Sequence, residues 1–216
     1  YEGTRFRDTT DVISTTLGTA YVLSGYGHDD KFTIGNTTAD FESATYDGSL
    51  DSIQGPVTVF GDVTSPVLDG HNTINVDDSG TPALDATPAA IDNVGTIANV
   101  PALNNVPAYA FTFDATRLSG FAPADIYYAH DDVFDGASSL VNRIQLLNVR
   151  SSTGADTINV NGTTATTRTF LDAREADDVV NIRGDYLSAH NVFYGHDGND
   201  QFKKLVATIR LSVPYT

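Results

Sequence analysis

The chain has 216 residues, 40% of them hydrophobic and 19% charged, the balance of a folded globular chain and not of a disordered one. Lys and Arg number 12 against 28 Asp and Glu, giving −16, which sets nucleic acid aside, disfavours anionic membranes and favours cations. Cys is absent, so disulfides and thiolate metal sites are excluded.

The predicted elements are short strands. Ala20-Tyr21-Val22-Leu23 is an apolar run, followed by Asp30-Lys31-Phe32-Thr33-Ile34, the first copy of a signature. The signature is an Asp or Asn, a spacer residue, an apolar residue, then usually a polar and another apolar one. Copies follow at Asp51-Ser52-Ile53 and Asn72-Thr73-Ile74-Asn75-Val76, each 21 residues after the last. Later copies begin at Asp156, Asp178 and Asp200, with a step of 22. Alternating apolar residues such as Ile158 and Val160 give the period of two expected of a strand with one buried face. A second strand type lies upstream of the Asp, as in Thr167-Arg168-Thr169-Phe170-Leu171 and Asn191-Val192-Phe193-Tyr194.

Between the two blocks the beat is lost. Residues 81–108 carry Pro82, Pro88, Pro101 and Pro107 and read as an extruded loop or arm, because proline is poorly tolerated inside a sheet. Strands are expected to resume at Ala110-Phe111-Thr112-Phe113 and Arg143-Ile144-Gln145-Leu146-Leu147. Residues 203–216 alternate in polarity and carry Lys203, Lys204 and Arg210; they read as a terminal strand, a cap or an assembly strand. No apolar run approaches the ~20 residues that span a bilayer. No signal peptide pattern is visible, and the absence of Met even at position 1 is expected of a processed product or a piece of a longer chain.

A fixed period of 20–50 residues marks stacked repeats. The expected fold is all-β: one right-handed parallel β-helix (solenoid) spanning 1–216, with ~21–22-residue coils and the irregular insertion in its middle. An antiparallel sandwich is the alternative.

Gly195-His196-Asp197-Gly198-Asn199-Asp200-Gln201-Phe202 resembles the calcium-binding nonapeptide of RTX (haemolysin-type) proteins, G-G-x-G-x-D-x-U-x, with His196 in place of the second Gly. Ser24-Gly25-Tyr26-Gly27-His28-Asp29-Asp30-Lys31-Phe32 is a copy with one extra residue. Most of the remaining chain looks like the repeat regions of very large secreted bacterial proteins with calcium-binding or adhesin-like labels. That resemblance implies an extracellular or cell-surface location and calcium as the cofactor.

Two roles are open for the signature carboxylates. As metal ligands, the residues concerned are Asp197, Asn199 and Asp200, with Asp177 and Asp178 one coil below, Asp156 stacked at the same corner of the next coil, and Asp30 at that corner in the first block. Calcium takes six to eight oxygens, and stacked like charges would gain from a bridging cation. As turn caps, the same side chains accept backbone N–H bonds, and Asn72 at one corner favours this. The five histidines form no zinc-type pair and three of them, His28, His71 and His196, fall near repeat corners.

The functional reading is a non-enzymatic structural or adhesive module of a surface fibre, sheath or matrix, calcium-stabilised and self-associating end to end. A polysaccharide lyase or glycosidase is the first alternative, resting on Arg168, Arg174 and Arg183 near Asp172, Asp177 and Asp178. A carbohydrate-binding module is the second, resting on Tyr26, Tyr127, Tyr128 and Tyr194. A surface polysaccharide is the partner in both. Asn36 and Asn161 head N-glycosylation sequons.

Overall fold

The computed structural model describes residues 1, 3–4, 6–25, 27–61, 71–81, 94–100, 115–129, 133–134, 139–140, 144–164, 166–183 and 191–205. In chain order the elements are β1 (Thr9–Val12), β2 (Tyr21–Ser24), β3 (Lys31–Ile34), α1 (Thr38–Glu42), β4 (Val57–Phe60), β5 (Asn72–Asp77), β6 (Val94–Val100), β7 (Ala115–Ser119) and β8 (Ile126–Ala129). They continue with β9 (Val133–Phe134), β10 (Ser139–Leu140), β11 (Ile144–Arg150), β12 (Thr157–Val160), β13 (Arg168–Asp172), β14 (Val179–Arg183), β15 (Asn191–Tyr194) and β16 (Gln201–Leu205).

Two sheets pack face to face. One has six strands, all parallel, in the order β1-β3-β5-β11-β13-β15. The other has eight, in the order β16-β14-β12-β6-β7-β8-β4-β2, with β7 antiparallel to both neighbours. Alternation along each strand sends one set of side chains inward. Register then lines up Ile34, Val76, Val149, Leu171 and Phe193 as one continuous row of the six-stranded sheet. Ile158 and Val180 form the facing kind of row in the eight-stranded sheet. These rows share one core, with residues such as Phe32, Ile74, Ile97 and Leu147 fully or almost fully buried.

The expected single right-handed β-helix of uniform coils is corrected by this topology. Uniform coils need each strand to alternate between faces. Instead, β6, β7 and β8 follow one another inside a single sheet as an antiparallel meander, so six strands face eight and one sheet is mixed. The meander also corrects the loop assigned to 81–108: β6 lies within it and is a central strand bonded to both β7 and β12. The prolines flank it, Pro88 before and Pro101 after, which is why a strand survives there. Residues 82–93 and 101–108, the strand expected at 110–113, and 206–216 lie outside the described residues.

The two 21-residue steps in the first block do not stack as expected. β3 pairs directly with β5 at an offset of 42 residues. Asp51 sits in a turn, and Ile53 makes only an isolated bridge to Thr15. The intervening chain instead forms α1 and β4. Thr37 caps α1 by accepting from the Asp40 N–H. Thr38 anchors it by donating its N–H and its hydroxyl to Asp11 Oδ1, at 2.9 and 2.8 Å. The helix therefore covers part of the outer face of the six-stranded sheet.

Candidate functional site

The signature carboxylates form ladders of a definite kind. Asp156 N–H donates to Asp178 Oδ1 at 2.8 Å, and Asp178 N–H donates to Asp200 Oδ1 at 3.1 Å. In the first block Asp8 N–H donates to Asp30 Oδ1 (2.8 Å), Asp30 N–H to Asn72 Oδ1 (2.9 Å), and Asn72 N–H to Gln145 Oε1 (2.6 Å). Each side chain thus satisfies the backbone donor that opens the preceding strand, which an unpaired buried N–H requires. The single set of corners expected from sequence resolves into two stacks. Asp8 and Asp30 precede strands of the six-stranded sheet and Asn72 opens one, whereas Asp156, Asp178 and Asp200 precede strands of the eight-stranded one.

Burial separates the predicted ligands. Asp30, Asp156 and Asp178 are no more than 2% exposed. Asp177, Asp197 and Asn199 lie on the surface. Asp177 Oδ1 accepts the Asn199 N–H at 2.8 Å, and Asp29 Oδ1 accepts the His71 N–H at 2.9 Å. An Asp-Asp doublet therefore works in both directions: its first carboxylate reaches the following strand's turn, its second the preceding one. Among the described residues, no three His, Asp or Glu side chains converge as a metal-holding group.

Sequence reasoning missed why glycine punctuates these turns. A Cβ on Gly195 would collide with the Asp200 carboxylate five residues ahead, and one on Gly25 with that of Asp30. The residues four and two before the corner Asp take positive φ: Arg174 (76°) and Ala176 (71°) before Asp178, His196 (59°) and Gly198 (146°) before Asp200. These are the positions where the RTX pattern has glycine; Gly198 keeps it, while at Arg174, Ala176 and His196 an L-residue bears the strain.

Two buried carboxyls are perturbed. Burial pushes Asp78 up to about 8, against the N–H bond from Leu50, with the charges of Asp51 and Asp156 adding to the rise. Burial likewise pushes Asp178 to about 7, with Asp156, Asp200 and Asp177 contributing repulsion. The second oxygen of each is buried without a hydrogen-bond partner. A proton neutralises such a group where a full charge would be costly.

A groove lies elsewhere, on the outer face of the six-stranded sheet under α1. It has a volume of about 320 Å³ and is lined by Phe41, Asn148, Val149, Arg150, Phe170, Asp172, Tyr194 and His196. Register places Asn148 beside Phe170, Arg150 beside Asp172, and Asp172 beside Tyr194. Arg150 is held fast: its Nη1 lies 3.4 Å from Asp77 Oδ2, its Nη2 donates to the Phe41 carbonyl at 3.0 Å, and its guanidinium stacks 3.7 Å from the Phe41 ring centroid. Arg174 stacks on Tyr46 at 3.7 Å. His196 Nε2 is 3.2 Å from Asp172 Oδ1, which also accepts the Arg174 N–H at 3.1 Å. The feature readable in the sequence was the spacing of two: Phe170 and Asp172, or Asn148 and Arg150, share a face.

Other predicted residues have structural roles. Tyr128 is buried in the core, with its hydroxyl pushed up to about 12 by burial. Tyr127 donates to Asp125 at 2.8 Å. Arg168 lies over the Phe170 ring, and Arg183 ends β14 in the sheet opposite Asp172. Asn36 is buried, and its Nδ2 donates to Asp77 at 2.9 Å and Asp47 at 3.1 Å, so this sequon is engaged internally. Tyr26, His130 and His190 lie outside the described residues. No protein-family model, curated protein or solved structure matches the chain.

Proposed function

We propose that this chain is a structural module of an extracellular surface fibre, sheath or matrix protein, acting as a non-catalytic scaffold between neighbouring parts. The carboxylate ladders carry this reading. Successive parallel strands in both sheets are joined by side chain-to-backbone bonds as well as by the sheets' own hydrogen bonds. Most of the acidic residues that sequence alone offered as ligands are used in that way. The strand edge at β16, with Lys203 and Lys204 exposed in an otherwise acidic chain, supports end-to-end association as part of the same reading.

The polysaccharide-cleaving alternative has one observation in its favour, the meeting of Arg150, Asp172 and His196 in the groove. Against it, Arg150 is committed to Asp77 and Phe41, and among the described residues Asp172 is the one carboxylate lining that groove. Glycoside hydrolysis commonly uses two.

Single-molecule pulling between the two ends of the chain tests the scaffold. The expected result is cooperative unfolding whose force falls when Asn72 or Asp178, the acceptors of the Asp30 and Asp156 N–H groups, is replaced by Ala. Unfolding at the same force with the ladders removed would rule out the load-bearing role.

A further inference from the structure

We propose that the groove on the outer face of the six-stranded sheet binds a neutral saccharide chain. The inference goes beyond the scaffold reading and stands on different residues.

The groove's construction sets the ligand chemistry. Its floor is the face of β11, β13 and β15, and one wall is Phe41 of α1. Phe170 and Tyr194 present rings from adjacent strands, and Tyr194 is 49% exposed, far more than a core tyrosine. Sugar rings offer flat C–H faces that pack on such rings and hydroxyls that need polar partners at their edges. Those partners are present. Asp172 uses Oδ1 for His196 and for the Arg174 N–H, while Oδ2 makes no hydrogen bond among the described residues. Asn148 donates its amide to Asn75 Oδ1 at 2.9 Å, leaving its own carbonyl oxygen as an acceptor. The tilted ring pair of Tyr194 and His196, centroids 6.1 Å apart, sets the imidazole beside the exposed ring. Apolar lining with a few placed polar groups is the general form of a small-ligand site, and the volume is at the lower end of the ~300–1,000 Å³ such sites span.

Charge decides between saccharide classes. An anionic sugar needs an unspent cation, and Arg150 is spent: its side chain is 12% exposed, paired with Asp77, bonded to the Phe41 carbonyl and stacked on Phe41. The whole chain carries −16 as well, which opposes uronates, sulfates and phosphates. A proline-rich peptide also favours aromatic grooves. Here, though, the floor is a sheet face in which β11 and β13 bond to strands on both sides, so a peptide lying across it would find no backbone partners there and could reach them only at the edge of β15.

Calorimetric titration of the intact chain with cellohexaose, xylohexaose, mannohexaose, chitohexaose, hexagalacturonate and a proline-rich decapeptide tests the proposal. At least one neutral oligosaccharide is expected to bind. Tyr194→Ala should weaken that binding at least tenfold with an unchanged melting temperature, and Asp172→Asn should weaken it too. Tyr127→Phe, outside the groove, should leave it within twofold. The proposal fails if no neutral oligosaccharide binds, if Tyr194→Ala binds like the parent chain, or if only hexagalacturonate or the peptide binds. Because Tyr194 takes no part in the ladders, the unfolding force of Tyr194→Ala stays at the parent value in either case. Failure here therefore leaves the scaffold reading untouched.

Discussion

Positive φ at Ala176 is a strain the turn does not need. An L-residue in the left-handed region costs about 1–2 kcal/mol, and glycine returns part of that gain as chain entropy. Ala176→Gly should therefore raise the urea unfolding free energy by about 0.5–1 kcal/mol. The reverse change at Gly198 should be severe, since φ is 146° and a Cβ there would meet the Ala176 carbonyl. Chemical denaturation of both variants reads the difference directly. The buried carboxyls make a second prediction at this scale. Asp78 and Asp178 have folded pKa values raised to about 8 and about 7 over an ordinary 3.8. A raised value means the folded state holds its proton more tightly than the unfolded chain does. Their stabilising contribution is thus full below about pH 4 and is lost as pH climbs through 7 and 8. The urea unfolding free energy should fall between pH 5 and pH 9, by an amount on the order of a few kcal/mol. In Asp78→Asn, which keeps an acceptor for the Leu50 N–H and cannot ionise, that fall should shrink; an undiminished fall would mean Asp78 is not its source.

At the scale of elements, the ladders distinguish buried from exposed members of one motif. Asn72→Ala removes the acceptor of the buried Asp30 N–H and should cost about 1–3 kcal/mol. Asp177→Ala removes an equally short bond, but water can replace it at the surface, so the loss should stay below about 1 kcal/mol. Equal losses in thermal denaturation would mean that burial does not set the ladder's worth. The motif was legible because the signature recurs at 22 residues, and that step is the parallel register of β12, β14 and β16. The alternation of Ile158 and Val160 with Thr157 and Asn159 also showed which face is buried. What could not be read was pairing. Asn72 and Gln145 are partners across 73 residues, and no local pattern marks Gln145 as the successor to an Asn corner. Nor does any period announce β6, β7 and β8, because antiparallel neighbours are fixed by turns and by side chains such as Phe121, which packs over Gly95. The equal 21-residue steps through Asp51 were misleading for the same reason: spacing alone does not distinguish a stacked strand from a turn. The groove was legible only as residues sharing a face. Its wall depends on α1 being drawn down by Asp11 and Arg150, contacts that span 27 and 109 residues.

For the whole molecule, the excess of 16 negative charges makes every cation stabilising to some degree, because screening relieves repulsion regardless of the ion. A bound ion adds a contribution set by its own affinity for the folded state. The two are separable here because the structure locates the oxygens in competition. The ladder oxygens of Asp30, Asp178 and Asp200 already accept backbone N–H bonds, and the second oxygens of Asp78 and Asp178 are those a proton neutralises at moderate pH. Calcium, which takes six to eight oxygens, would have to displace those donors or that proton. At pH 6, calcium, magnesium and sodium chlorides at matched ionic strength should therefore raise the melting temperature equally, and EDTA should leave it unchanged. At pH 9 the two buried carboxyls are ionised, and a calcium site would show itself there if anywhere. A calcium-specific rise at pH 9 that vanishes in Asp178→Asn would assign the ion to the Asp156, Asp178 and Asp200 corner and displace the proton from this account. Equal shifts at both pH values would leave hydrogen bonds and protons as what holds these carboxylates together.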